Sequence, residues 1–209
     1  MNLLIFGATG RTGKPLLEQA LVTGHEVTAY LRNPSKLNVN HPKLNIVEGQ
    51  FDETQKITEA MKGQDAVLVA LGPVKGGSKT IMEESARVIT SAMNKTGVRR
   101  LVTVTGAGVA QPGDEPKLFN KFMSFMLNTF AKDVLKDSAK HAEVVRSSNL
   151  DWTIVRVPML TDGEKKGQYR VGRVGVDDGP RISRADVADF MLKQVSDKSY
   201  VGKSPVISY

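Results

Sequence analysis

Apolar residues along this chain fall into short, nearly continuous runs, separated by longer stretches in which they recur at helical spacing. The runs are Leu3 to Phe6, Val27 to Leu31, Leu44 to Val47, Ala66 to Leu71, Leu101 to Thr105 and Trp152 to Val157. Runs this short and this uniformly apolar predict strands covered by helices on both faces. The amphipathic stretches between them predict helices over Lys14 to Val22, Thr54 to Met61, Ser78 to Lys95 and Lys132 to Ser148. Gly24, Gly63 and Gly97 each follow one of the first three helices and precede a strand, where a residue free to take positive φ closes a helix. Strand and helix in alternation make βαβ units, so the fold class is α/β: a doubly wound parallel sheet with helices on both faces.

The pattern loosens after Pro158. Residues 161 to 181 are rich in Gly, Asp, Lys and Arg, and the alternating Gln168-Tyr169-Arg170-Val171 predicts a loop with one or two short strands. A last helix over Ser183 to Val195 opens with Ser183 as N-cap and Asp186 three residues later, and Ser204 to Ser208 reads as a final strand. The stretch Leu118 to Phe130 carries a helical apolar stripe that Phe125 and Leu127 broaden beyond what a small core needs. Part of it is expected to cover a substrate site or to meet a second subunit, and the oligomeric state stays open.

The chemistry begins at Gly7-Ala8-Thr9-Gly10-Arg11-Thr12-Gly13, directly after the first strand and at the opening of the first helix. Gly7 permits a sharp exit from the strand, Gly10 lets the backbone approach a pyrophosphate, and Gly13 lets helix and sheet pack closely. The unpaired amides of the first helical turn then face the phosphates. A nucleotide-hydrolysing phosphate loop is disfavoured, because Gly13-Lys14 is followed by Pro15 and not by Ser or Thr. This makes the sheet Rossmann-like. At 209 residues the chain fits one NAD(P)-binding domain over 1–209, with a small substrate lobe from 107–131 and 159–181.

After the second strand, where NAD-binding proteins place a carboxylate for the ribose hydroxyls, the chain reads Tyr30-Leu31-Arg32-Asn33-Pro34-Ser35-Lys36. Arg32 offers a planar donor fork to a 2′-phosphate and Lys36 a second charge, so NADP(H) is the expected cofactor.

Composition narrows the remaining classes. Lys and Arg number 29 against 22 Asp and Glu, a formal charge of +7, and 40% of residues are apolar, as in globular proteins. With no Cys, thiol nucleophiles, zinc–cysteine sites and disulfides are excluded, and His25, His41 and His141 have no metal-ligand spacing. No metal is expected. The cations are spread out, the densest group being Lys165, Lys166, Arg170 and Arg173, with no basic helix or aromatic platform, so direct nucleic-acid binding is not expected. No apolar run approaches the ~20 residues of a membrane span. The opening Met1 to Gly7 lacks the basic start of a secretory signal, which points to a cytoplasmic location without membrane association.

Three motifs carry a resemblance. Gly7 to Gly13, Ser148-Asn149-Leu150-Asp151-Trp152-Thr153-Ile154-Val155-Arg156, and Arg181-Ile182-Ser183-Arg184-Ala185-Asp186-Val187-Ala188 are together similar to the atypical short-chain dehydrogenase/reductase superfamily, along the whole chain. The branch most resembled is the NAD(P)H-binding group that contains NmrA-like proteins and flavin reductases of the biliverdin reductase B type. The resemblance implies cofactor contacts from Gly7, Thr9, Gly10, Arg11, Thr12 and Arg32, with Gln50 and Phe51 beside the adenine. It also implies that Leu71 and Gly72 lie along the cofactor, and that Thr105, Gly106, Ala107, Val157, Pro158 and Met159 approach the nicotinamide.

One departure bears on mechanism. Most short-chain dehydrogenases use Tyr-x-x-x-Lys as a proton donor and its helper, but Lys140 has Lys136 four residues before it, and the assisting Ser is replaced by Gly106. Thr105 is then the nearest hydroxyl and the sole catalytic candidate, Tyr169 from the substrate lobe being an alternative proton source, while Lys140 reads as a solvated helix residue. The expected function is an NADPH-dependent reductase passing hydride to a conjugated acceptor such as a flavin or quinone. The alternative is a non-catalytic NADP(H)-binding redox sensor of the NmrA-like type, acting through a protein partner.

Overall fold

The computed structural model describes residues 1–73, 77–117 and 131–209. The stretch Leu118 to Phe130, expected as a lid or interface helix, lies outside the described residues. Each predicted apolar run is a strand: β1 (Asn2–Phe6), β2 (Glu26–Leu31), β3 (Leu44–Glu48), β4 (Ala66–Val69), β5 (Arg100–Gly106) and β6 (Asp151–Val157). The helices are α1 (Gly13–Val22), α2 (Thr54–Met61), α3 (Ile81–Thr96), α4 (Lys132–Ser147) and α5 (Arg184–Lys193). Short strands β7 (Met159–Thr161), β8 (Arg170–Gly172), β9 (Arg181–Ser183) and β10 (Val206–Ser208) complete the chain. Among the described residues no helix is long and apolar enough to cross a membrane.

The main sheet runs β3-β2-β1-β4-β5-β6-β10-β8, and only β8 is antiparallel to its neighbour. Alternation within each strand divides the core between the two faces. Leu3 and Ile5 of β1 join Leu16, Leu17, Val187 and Met191 under α1 and α5. Leu4 and Phe6 join Ile57, Ile89, Met93 and Val145 under α2, α3 and α4. The glycine caps hold as read, with φ of 86° at Gly24, 71° at Gly63 and 77° at Gly97. Ser183 caps α5 by accepting the Asp186 amide at 3.0 Å.

Four expectations are corrected. β3 is not covered on both faces: it is the sheet edge, and Ile46 is 39% exposed. β4 stops at Val69 instead of Leu71, because the chain turns at Ala70 to pass beside Gly7. The alternating segment at 170–172 is not confined to a lobe but forms the opposite edge of the main sheet, pairing with β10. α3 starts at Ile81 and not at Ser78, since its first amides are capped from outside the local sequence: Asp137 of α4 accepts the Met82 and Glu83 N–H groups at 3.0 and 2.9 Å.

His141, one turn further along α4, completes that junction. Its Nδ1 lies 3.1 Å from the Met82 carbonyl, which can only accept, so Nδ1 carries the proton and Nε2 accepts from the Thr103 hydroxyl at 2.9 Å. Burial holds the imidazole pKa below 6.5 despite the opposing bond to Met82 and the Asp137 charge. The unfolded chain takes up this proton below about pH 6.5 and the folded chain does not, so stability present above that pH is lost as the solution is acidified. Urea unfolding between pH 7.5 and 5 is expected to show this loss in the wild type, at most about 1.4 kcal/mol per pH unit. His141→Gln is expected to flatten it, and an equally steep slope in that variant would remove His141 as the cause.

Candidate functional site

β1 lies between β2 and β4, and the chain leaves β1 toward α1 on one face while the continuation of β4 feeds α3 on the other. Such a reversal opens a crevice at the carboxyl ends of the strands. The Gly7 to Gly13 turn fills its floor. Gly7 has φ +83°, and a Cβ there would stand 2.6 Å from the Ala70 carbonyl oxygen. A Cβ on Gly13 would overlap the Gly7 carbonyl, so α1 starts directly against the end of β1. The turn is closed by the Gly10 amide on Gly7 O and the Lys14 amide on Gly10 O, both at 2.9 Å. No acidic residue occupies the first turn of α1, which leaves the positive helix end uncompensated.

Above this turn is a cleft of about 170 Å³ that gathers Gly7, Thr9, Gly10, Arg32, Lys36, Phe51, Leu71 and Gly72 from the residues read in the sequence. It also takes in Tyr30, Leu31, Asn33, Gly49 and Ala70, which sequence reasoning did not single out. Phe51 stacks on Phe6 at 5.7 Å and 28°, and Tyr30 leans on the same ring at 5.3 Å, giving one end of the cleft an aromatic wall. The Tyr30 hydroxyl donates to the Gln50 carbonyl at 3.0 Å, and burial pushes its pKa up to about 12. Gly49 has no room for a Cβ beside that hydroxyl. Asn33 accepts the Ser35 amide at 3.0 Å and so caps the turn Pro34–Lys36 that presents Lys36, a role its Asn-Pro context could have signalled. Among the described residues, Arg32 and Lys36 are exposed cations without a carboxylate partner.

The remaining predicted residues lie elsewhere. Arg11 and Thr12 sit at the start of α1 outside the cleft lining, and the Gln50 side chain is exposed. Thr105, Gly106, Ala107, Val157, Pro158 and Met159 form a second group at the ends of β5 and β6, joined by the Ala107 amide on the Val157 carbonyl at 2.8 Å. There the Thr105 hydroxyl is buried without a hydrogen-bond partner among the described residues, Val157 packs into the core under α1 and α5, and Met159 is 62% exposed.

Among the described residues, three of the four tyrosine hydroxyls donate to groups other than those of that second cluster. Tyr30 is at the end of β2, and Tyr200 packs edge-on to Phe190 of α5. Tyr209 donates to Asp186 in a very short bond. Tyr169, expected as an alternative proton source, donates to Asp189 at 2.8 Å, and burial together with that bond pushes its pKa far up. Lys140 is exposed and pairs with Glu83 at 2.8 Å, as a solvated helix residue should.

Residues 7–198 match the family profile described as NAD(P)H-binding. The chain belongs to that family. It is 30% identical to protein YwnB of Bacillus subtilis, over 93% of this chain and 92% of that one. It is 25% identical to reductase pytE of Aspergillus terreus, over 100% of this chain and 98% of that one. The fold is that of a short-chain dehydrogenase/reductase from Veillonella parvula solved in complex with NADP, with a TM-score of 0.82 at 21% identity, covering 100% of this chain and 94% of that chain. For this member of the NAD(P)H-binding family, a nicotinamide dinucleotide is the cofactor. The cleft fits one: the first turn of α1 carries no acidic residue, and the cations Arg32 and Lys36 line the cleft, which suits the phosphate groups of a dinucleotide.

Proposed function

We propose that the protein is an NADPH-dependent reductase that delivers a hydride to a flat conjugated acceptor such as a flavin or a quinone. The observation that carries the cofactor choice is the pair of cations, Arg32 and Lys36, that line the cleft with Phe51 and Tyr30 and have no carboxylate partner among the described residues. A guanidinium and an ammonium there receive a 2′-phosphate, while a ribose diol would want a carboxylate. Gly7, Thr9 and Gly10 hold the pyrophosphate against the start of α1, and Phe51 and Tyr30 flank the base.

The acceptor class follows from the proton. A reduced nicotinamide supplies the hydride, two electrons and one hydrogen, and the product needs one more proton. Reducing an isolated ketone rests that demand on a positioned acid, which contributes typically ~10²–10⁴-fold. Here the hydroxyls of Tyr30, Tyr169 and Tyr209 are bonded to other groups, Tyr200 packs on Phe190 of α5, and Leu118 to Phe130 contains no Tyr, His or carboxylate. A flavin or quinone spreads the incoming charge over its rings and takes the proton from water, so the protein needs only to hold the ring at reacting distance. Gly106, which has no side chain, and Met159 are both exposed at the ends of β5 and β6, where the ring would be held.

Steady-state reduction of a panel of flavins, quinones and simple ketones, read at the nicotinamide absorbance, tests the acceptor. Brisk ketone reduction without flavin or quinone turnover overturns it, and tight NADPH binding with no turnover favours the sensor reading. Arg32→Ala is expected to weaken NADPH about 10- to 100-fold relative to NADH, the equivalent of ~1.5–3 kcal/mol for a hydrogen-bonded charge. An unchanged ratio of the two dissociation constants removes Arg32 from the 2′-phosphate.

A further inference from the structure

Arg156 stands in β6 opposite Thr105 of β5, at the carboxyl edge of the sheet, and is only 1% exposed. Its guanidinium meets both oxygens of Asp114 at 2.7 and 2.8 Å, and it donates to the carbonyls of Ser204 at 2.8 Å and Val109 at 3.3 Å. A buried ion pair is a poor way to hold two strands together, since apolar side chains of similar volume do so at least as well. What this pair holds is the segment leaving β5.

Asp114 also accepts the Gln111 amide at 2.8 Å, and the Glu115 amide reaches the Val174 carbonyl at 2.9 Å. Arg173 donates to the Gly113 carbonyl at 3.2 Å, and Gly175 lies so close to the Glu115 carbonyl that a Cβ would overlap it. Residues 107–115 are thus strapped across the ends of β5 and β6 as far as 173–175. The cleft with Arg32 and Phe51 lies on the β2 side of the switch point, so a dinucleotide seated there runs on toward β5 and β6. The strap borders that far end, where the acceptor has to meet it.

We propose that the Arg156–Asp114 pair is a positioning device for the acceptor: it fixes residues 107–115 as the wall against which the conjugated ring is held, and takes no part in holding the dinucleotide. The inference rests on the reductase reading above. Arg fits the task because its planar fork fixes both the distance and the plane of the carboxylate, and with it the segment's path.

The test is Asp114→Asn, which keeps the side-chain shape and leaves Arg156 its bonds to Ser204 and Val109. The KM for FMN or menadione is expected to rise about tenfold, with kcat changed less than about threefold and the NADPH dissociation constant within about twofold. Arg156→Lys, which keeps the charge and loses the fork, is expected to give the same split, and Lys140→Ala, on the outer α3–α4 face, to leave all three quantities unchanged. FMN binding to the NADP⁺-loaded protein, followed by flavin fluorescence, provides the same comparison without turnover. Unchanged acceptor KM and FMN affinity in Asp114→Asn overturn the proposal, as does an equal loss of NADPH and acceptor affinity. A wild type that binds FMN without reducing it, with binding weakened by Asp114→Asn, sinks the reductase reading and leaves the positioning role standing. A wild type that neither binds nor reduces FMN or menadione overturns both.

Discussion

Gly13→Ala is expected to give a protein that has lost measurable NADPH binding and about 1–3 kcal/mol of folding stability, the range for forcing extra volume into a packed site. The added methyl lands on the Gly7 carbonyl, which is backbone and has no rotamer to yield. Relief requires α1 to move off β1 or the turn from Gly7 to Gly10 to move into the cleft, and either displaces the amides proposed to receive the phosphates. Gly63→Ala is the comparison, since its φ is +71° but nothing lies within 4 Å of the added carbon. That variant carries a left-handed backbone cost of roughly 1–2 kcal/mol and should bind NADPH normally. Fluorescence titration and urea unfolding of both variants separate the two effects, and wild-type affinity in Gly13→Ala would show that the close contact of helix and strand does not govern the site.

Arg156→Met is expected to be the most damaging single change to stability. It leaves Asp114 charged and enclosed with its principal partner gone, a situation that costs about 3–5 kcal/mol. The same principle predicts that Arg156→Met combined with Asp114→Leu recovers most of the loss, because no unpaired charge then remains. In urea the single variant should unfold at a much lower midpoint and the double variant near the wild type. Equal midpoints for the two would mean that strand packing, and not the stranded charge, dominates. The guanidinium beside Asp114 and the Gln111 and Val174 backbone groups hold this carboxyl below the usual range although burial pushes it up.

How much of this was readable in the chain depends on whether the cause was local. The strands and helices follow from runs and periods, and Gly24, Gly63 and Gly97 mark helix ends because the required φ is a property of the residue itself. The glycine turn was legible for the same reason, as was Arg32, which stands at a fixed offset from it. The start of α3 was not legible, because its cap is Asp137, far along the chain. Likewise Tyr30 reads as one more apolar strand position, and only the structure shows that it and Gly49 shape the cleft wall. Arg156 lies inside the run Trp152 to Val157, and nothing in the sequence names Asp114 as its partner. The exposure of β3 was missed because its composition matches the central strands, and edge position is decided by sheet order alone.

The inner side of α1, with Leu16, Leu17, Ala20 and Leu21, is packed against the sheet and against Val187, Ala188 and Met191 of α5, and Gln19 donates to the Ala185 carbonyl at 2.9 Å. The helix proposed to receive the phosphates therefore leans on residues made some 170 positions later, a separation of the kind that slows folding. During synthesis the first βαβ units emerge with the flank of α1 still wet, and they are expected to bind nucleotide poorly until residues 184–193 have left the ribosome and docked. A nick or truncation that removes α5 would then be read out first as lost cofactor retention, far from the cut. Conversely, saturating dinucleotide should slow proteolysis at the distant helix, because the ligand stabilises the folded state in which α1 and α5 are docked.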